Sequence, residues 1–418
     1  MVFLKDTILN KLQSNPVAQQ MLQFGNNIGN LFPNEEALCM ASAFMQDKQT
    51  RIVVKKNRYE AQQLYQRLKP LINDTLLFVM EESLRVQAIA SSPEDKQEQL
   101  YVLTQLVKED KPRIIICNTA AFLRYLPDKE LFKSLCFKFE VDQEITMAEL
   151  KQKLNRAGYT KVNYVDRPCT YASRGGIVDV YCLEYEHPIR IEFFDTVIES
   201  IRLFHEETQR TIQTIDSVLI NPATDLLFTD NQIEYLQKEI DSELEKQQAK
   251  LIQDDYDFLL DYIEKDKISI ENYDIDPHLY IYFSYLNANK LTDYVNGHII
   301  FSSQEEVESG YKKLNEETIS FIQEMVESHQ YLPKYGMFHD IFTFEKEHKI
   351  QMFHDFLDFK HPIFSKIETL EKSDQPLIQI LENLKGENIY ISLDDEHTKK
   401  VQEALKAYSI HRNITFIE

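Results

Sequence analysis

The sequence predicts an α/β protein, and two observations carry that prediction. Between residues 16 and 118 short apolar strands alternate with helical segments, the rhythm of a parallel sheet covered on both faces. From Ile177 to Phe204, three β-branched and aromatic runs follow one another with only turn material between them, as in an antiparallel meander.

The elements follow in order. Asn34 is the expected cap of a helix running through Met45, with Glu35 and Glu36 in its first turn. Arg51 to Lys55 reads as a strand, Tyr59 to Leu68 as a helix and Thr75 to Val79 as a strand. A helix from Glu94 to Val107 follows Pro93, and Arg113 to Cys117 is a third strand. Thr146 and Glu149 form a T-x-x-E capping box for a helix carrying Met147, Leu150 and Leu154, which Gly158 ends. Gly175-Gly176 permit a sharp reversal between two strands, because glycine enters positive φ without a Cβ clash. The helix and the meander make a small α+β unit. Residues 211–340 return to helices, with a strand at Ile299 to Phe301 after the Asn296-Gly297 turn. A last unit begins near 341, with a helix at Pro376 to Leu384, a strand at Asn388 to Ser392, a helix at Glu396 to Tyr408 and a strand at Ile414 to Ile417. It reads as an incomplete α/β domain.

Period-two alternation sorts the strand Ile189 to Phe194. Ile189, Ile191 and Phe193 form one face, while Arg190, Glu192 and Phe194 form the other. An arginine beside an aromatic on a solvent face has the composition of an interaction hot spot. The competing reading covers Phe194 with a neighbouring helix and lays Arg190 across it. Spacing leaves both open.

The 418 residues carry a net charge of −22, unevenly spread. Residues 146–210 are close to neutral, whereas 211–340 alone carry −17, a surface that repels phosphate backbones. The acidic run at 230–278 is read as a solvated face. Five scattered cysteines (Cys39, Cys117, Cys136, Cys169, Cys182) argue for a reducing cytosol and against a disulfide framework or a zinc site. No apolar run reaches membrane-spanning length, and the N-terminus does not read as a signal peptide. The expected location is cytoplasmic.

The segment from Tyr171 to Arg210 resembles the second domain of the bacterial transcription-repair coupling factors, a domain they share with the excision-repair protein UvrB. The residues that carry the resemblance are Ser173-Arg174-Gly175-Gly176, Pro188 to Asp195, Ile198 to Arg202 and Thr208-Gln209-Arg210-Thr211. Together they span about forty residues with little slack, far more than a single short motif. The resemblance implies UvrA as partner, bound through Arg174, Arg190 and Phe194. It also implies a UvrB-like division of the chain: 1–118 and 209–340 as two halves of a degenerate NTPase-like domain, 119–208 inserted between them, and 341–418 as a third, unfinished domain. Glu192 is expected to orient Arg190 or Arg174, an inference from alternation alone.

Two decoys for chemistry fail on residue type. A phosphate loop needs glycines, then lysine and a hydroxyl at a helix start. The corresponding stretch, Ile28 to Leu38, places Asn34, Glu35 and Glu36 there, and Pro33 removes a backbone donor. This site is expected to be non-functional. Leu393-Asp394-Asp395-Glu396-His397 looks like a helicase magnesium motif in the wrong order, and Asp394 reads better as a helix cap. His339, His348, His354 and His361, with Asp355 and Asp358, have no ligand spacing and are expected at the surface.

The expected function is therefore non-catalytic: the N-terminal module of a coupling factor, recruiting UvrA without cofactor or metal. The resemblance assigns RNA polymerase, DNA, ATP and magnesium to other parts of such a protein, whose motor is a DNA translocase. The alternatives are a UvrB-type DNA-damage-binding ATPase and a motor-less UvrB-like adaptor.

Overall fold

The computed structural model describes residues 4–23, 25, 27–29, 31–81, 93–274, 276–334, 336–354, 388–392, 395–407 and 413–417. Its first sheet has six parallel strands: β1 (Asn27–Gly29), β2 (Arg51–Lys55), β3 (Thr75–Phe78), β4 (Ile114–Asn118), β13 (His298–Phe301) and β14 (Ile350–His354), in the spatial order β1-β14-β13-β2-β4-β3. The central strands are apolar on both faces, as a sheet covered by helices requires: Ile52, Val53, Val54, Ile114, Ile115 and Ile116 are all buried. The helices Pro33–Asp47 and Arg58–Leu68 pack on one side, and Pro93–Lys108 and Gln304–Glu327 contribute to the core on the other.

Between β4 and β13 the chain builds a second, six-stranded sheet. It contains β6 (Thr160–Lys161), β7 (Thr170–Arg174), β8 (Ile177–Tyr181), β9 (Ile189–Phe194), β10 (Val197–Phe204) and β11 (Thr211–Ile215), paired in sequence order. All its pairings are antiparallel except β6 with β7. The helix Met147–Arg156 covers its inner face through Leu150 and Leu154, and the Thr146–Glu149 capping box forms as expected. Gly158 takes φ +82°, and a Cβ there would lie 2.3 Å from Thr224 Cγ2. A two-stranded ribbon, β5 (Phe137–Glu140) with β12 (Ser217–Ile220), joins the entry and exit of this region. The acidic stretch forms two helices, Asp230–Gln248 and Gln253–Glu271, whose apolar stripes close a third core with Tyr280, Tyr282 and Phe283. Asp266 departs from the solvated face: it is buried, and accepts hydrogen bonds from Tyr282 Oη (2.7 Å) and the His278 ring (2.7 Å).

Several expectations are corrected. Phe32, not Asn34, caps the first long helix; Pro33 takes the first helical position and Glu35 accepts from the Phe32 N–H. Asn34 instead accepts from Arg67 Nε at 3.0 Å. The first sheet runs past the boundary expected at 341, because β14 lies between β1 and β13. His339 is partly buried rather than a surface residue, edge-on to Tyr125 at 4.7 Å and hydrogen-bonded to the Asn289 carbonyl. Of the last unit, β15 (Asn388–Ser392) and β16 (Asn413–Ile417) pair in parallel, with the helix Asp395–Ala407 between them in sequence. The expected helix at Pro376 to Leu384, and Asp355, Asp358, His361, Leu393 and Asp394, lie outside the described residues.

Candidate protein-docking surface

The outer face of the second sheet is built rung by rung. In an antiparallel ladder, opposed residues share a face, so Asp179, Arg190, Arg202 and Thr214 form one row across β8, β9, β10 and β11. Arg174, Ile177, Glu192 and Ser200 form the next. Phe194 lies two residues beyond Glu192 on the same face, at the end of β9. Ile189 and Ile191 are fully buried on the opposite face, as alternation requires, and Phe193 packs against the same core.

Phe194 is 74% exposed, and no helix among the described residues covers it. The Arg174-Gly175-Gly176 turn and the β9–β10 turn stand at one end of the sheet, tied by the Phe193 N–H donating to the Gly176 carbonyl (2.8 Å). Gly175 supplies the turn with φ +54°, and Asp195 does the same for its neighbour with φ +57°. Arg174 is exposed, its guanidinium 4.3 Å from the centroid of the Tyr164 ring.

Arg190 is held differently. Its Nε and Nη2 each donate to one oxygen of Asp179 at 2.7 Å, a two-pronged ion pair, and Nη2 also donates to Gln209 Oε1 at 2.6 Å. The guanidinium lies 4.3 Å from the Phe204 ring centroid, closing over a phenyl that is itself buried. Hydrogen bonding to Asp179 outweighs the opposing desolvation and pushes the Arg190 pKa above its ordinary value. Arg190 thus lies across an aromatic ring, as the competing reading supposed, but the ring is Phe204 and not Phe194.

Glu192 does not bond Arg190 or Arg174. It pairs with Arg202 Nη2 and accepts from Ser200 Oγ (2.8 Å): Ser200 is opposite it on β10, and Arg202 reaches it diagonally from the neighbouring row. The sequence reading therefore missed Asp179, Gln209, Arg202 and Tyr164 as neighbours of its chosen residues. Gln209 and Asp179 stand inside the quoted segment, in the Thr208–Thr211 stretch and the β8 strand, so the signal was there. Tyr164 sits in the loop after β6, where no periodicity marks it.

At the helix start that a phosphate loop would use, carboxylates fill the space. Glu36 is buried, bonds Lys55 Nζ at 2.7 Å and accepts from Ser302 Oγ at 2.7 Å. Glu35 is buried beside it. These bonds join the helix Pro33–Asp47 to β2 and to the segment after β13.

Residues 137–226 match the UvrB interaction domain family, a span that takes in the β5–β12 ribbon. The transcription-repair-coupling factor of Bacillus subtilis (strain 168) is 28% identical over 390 residues, covering 87% of this chain and 32% of that protein. Those of Staphylococcus haemolyticus (strain JCSC1435) and Staphylococcus aureus (strain MRSA252) are 28% and 26% identical over 305 residues, covering 71% of this chain and 26% of each protein. The chain therefore spans about a third or less of the length of these relatives. The chain is an α/β protein in which residues 137–226 match the UvrB interaction domain family and most of the length is similar to transcription-repair-coupling factors.

Proposed function

We propose that this chain is a recruitment module whose second sheet docks the excision-repair protein UvrA, with no catalysis of its own. The observation that carries the reading is Phe194: a phenylalanine 74% exposed at the end of a well-packed strand, inside a UvrB interaction domain. Burying such a side chain against a partner is worth about 2 kcal/mol, whereas leaving it in water gains the free chain nothing. Arg174 on the same face adds an accessible cation, and Arg190 contributes by holding the sheet surface in shape.

In a full-length coupling factor this module would bring UvrA to a stalled RNA polymerase. Polymerase contact, DNA translocation, ATP and magnesium would then belong to the rest of that protein. A UvrB-type ATPase is disfavoured by Glu35, Glu36 and the Glu36–Lys55 pair at the phosphate position. The test is titration of the chain against purified UvrA, with Phe194→Ala and Arg174→Ala alongside. Saturable binding that both variants weaken is the expected result. No binding by the parent chain, or binding indifferent to Phe194→Ala, would overturn the reading.

A further inference from the structure

We propose that Tyr164 is a working part of this docking surface: it holds Arg174 flat and outward, ready for a carboxylate on an acidic protein partner. The inference rests on the reading above and extends it to a residue outside the meander.

Tyr164 is 62% exposed, yet its loop is fixed on both sides. The Val162 N–H donates to the Tyr171 carbonyl (2.8 Å), and Val165 is buried. The ring therefore stands on an anchored stretch of backbone rather than on a free tip. Arg174 Cζ lies 4.3 Å from its centroid, and the Tyr164 hydroxyl is 3.5 Å from Nη1. The second contact is too long to hold the guanidinium, so the ring face does the holding. Neither side chain reaches the core, so the stack contributes little to folding.

Its chemical effect falls on the free state of Arg174. An arginine beside a Gly-Gly turn would otherwise sample many rotamers and lose them on docking. Stacking removes part of that loss beforehand and covers one face of the guanidinium, leaving its in-plane N–H donors for a planar acceptor such as Asp or Glu. Phe194 ends β9 on the same face, next to Phe193, whose N–H donates to the Gly176 carbonyl of that turn. The same sheet face thus offers the Tyr164–Arg174 pair and the exposed Phe194. A nucleic acid would suit stacked arginine too, but the near-neutral region 146–210 and the −17 of residues 211–340 oppose a polyanion.

The experiment measures UvrA affinity of the 418-residue chain for Tyr164→Ala, Tyr164→Phe, Arg174→Ala, the Tyr164→Ala/Arg174→Ala pair and Phe194→Ala, with thermal melts as a fold control. Tyr164→Ala is expected to weaken binding about three- to tenfold, and Tyr164→Phe to match the parent. In the Arg174→Ala background the tyrosine change should have no further effect, which a merely structural role would not produce. An equal loss in both backgrounds, or no loss while Phe194→Ala still weakens binding, would overturn the role of Tyr164 alone. If Phe194→Ala binds like the parent, the docking surface itself falls and this inference with it.

Discussion

Arg190 and Asp179 face each other across β8 and β9 and form a two-pronged ion pair in which both side chains are nearly buried, 15% and 11% exposed. Removing one partner strands the other charge in a poorly solvated place. Arg190→Ala should therefore lower stability by about 2 kcal/mol, read as a drop in denaturant midpoint. Asp179→Ala should do the same, while the double variant loses less than the sum of the two. Strictly additive losses would show that the pair is not coupled. A binding defect in Arg190→Ala thus reports partly on the fold.

Phe194 and Arg174 should behave in the opposite way. Both are exposed, so truncation to alanine should change stability by no more than about 0.5 kcal/mol. Binding to UvrA should instead weaken by about 2 kcal/mol for Phe194→Ala, roughly thirtyfold. Calorimetry on the two variants separates the effects. A large fall in melting temperature for Phe194→Ala would place the ring in a packing role.

The contrast between these residues explains what was legible in the sequence. Strands β8, β9 and β10 occupy the expected residues because their β-branched runs and the turns between them are local signals. The outward face of β9 was equally plain from alternation. Which side chains meet on that face was not. The pairing of Glu192 with Arg202 and Ser200 depends on a register shift between Ile198 and Ser200 in β10, which alternation along β9 does not encode. Tyr164 reaches Arg174 from a loop ten residues away, and β14 joins β1 across more than three hundred residues. At Phe32, the fixed φ of Pro33 at the first helical position outweighed the capping preference of Asn34.

Glu36 gives a prediction for the first sheet. Its carboxylate satisfies Lys55, whose side chain is 12% exposed, and Ser302. Glu36→Ala leaves that ammonium without its buried counter-charge and should cost about 3 kcal/mol. Glu36→Gln keeps a hydrogen-bond acceptor and should cost less. If the carboxylates replace a phosphate site, adding ATP and magnesium should leave the melting temperature of the parent chain unchanged, since a ligand that does not bind the native state cannot stabilise it. A nucleotide-dependent rise would contradict that account.

His298 makes stability depend on pH. It opens β13 beside Arg51, is 4% exposed, and its Nε2 lies 2.8 Å from Gln49 Oε1. Burial first, and the charge of Arg51 second, hold its pKa down at about 4, against the small opposing pull of Asp47. The unfolded chain has an ordinary histidine near 6.5 and takes up a proton sooner on acidification. The contribution of His298 is therefore fully present above about pH 6.5, is lost progressively as the pH falls to about 4, and changes no further below that. His298→Gln retains hydrogen-bonding capacity without a titrating group. Denaturant midpoints measured between pH 7.5 and 4.5 should fall more steeply for the parent than for His298→Gln. Parallel curves would mean that the ring accepts its proton in the folded state as readily as in the unfolded one.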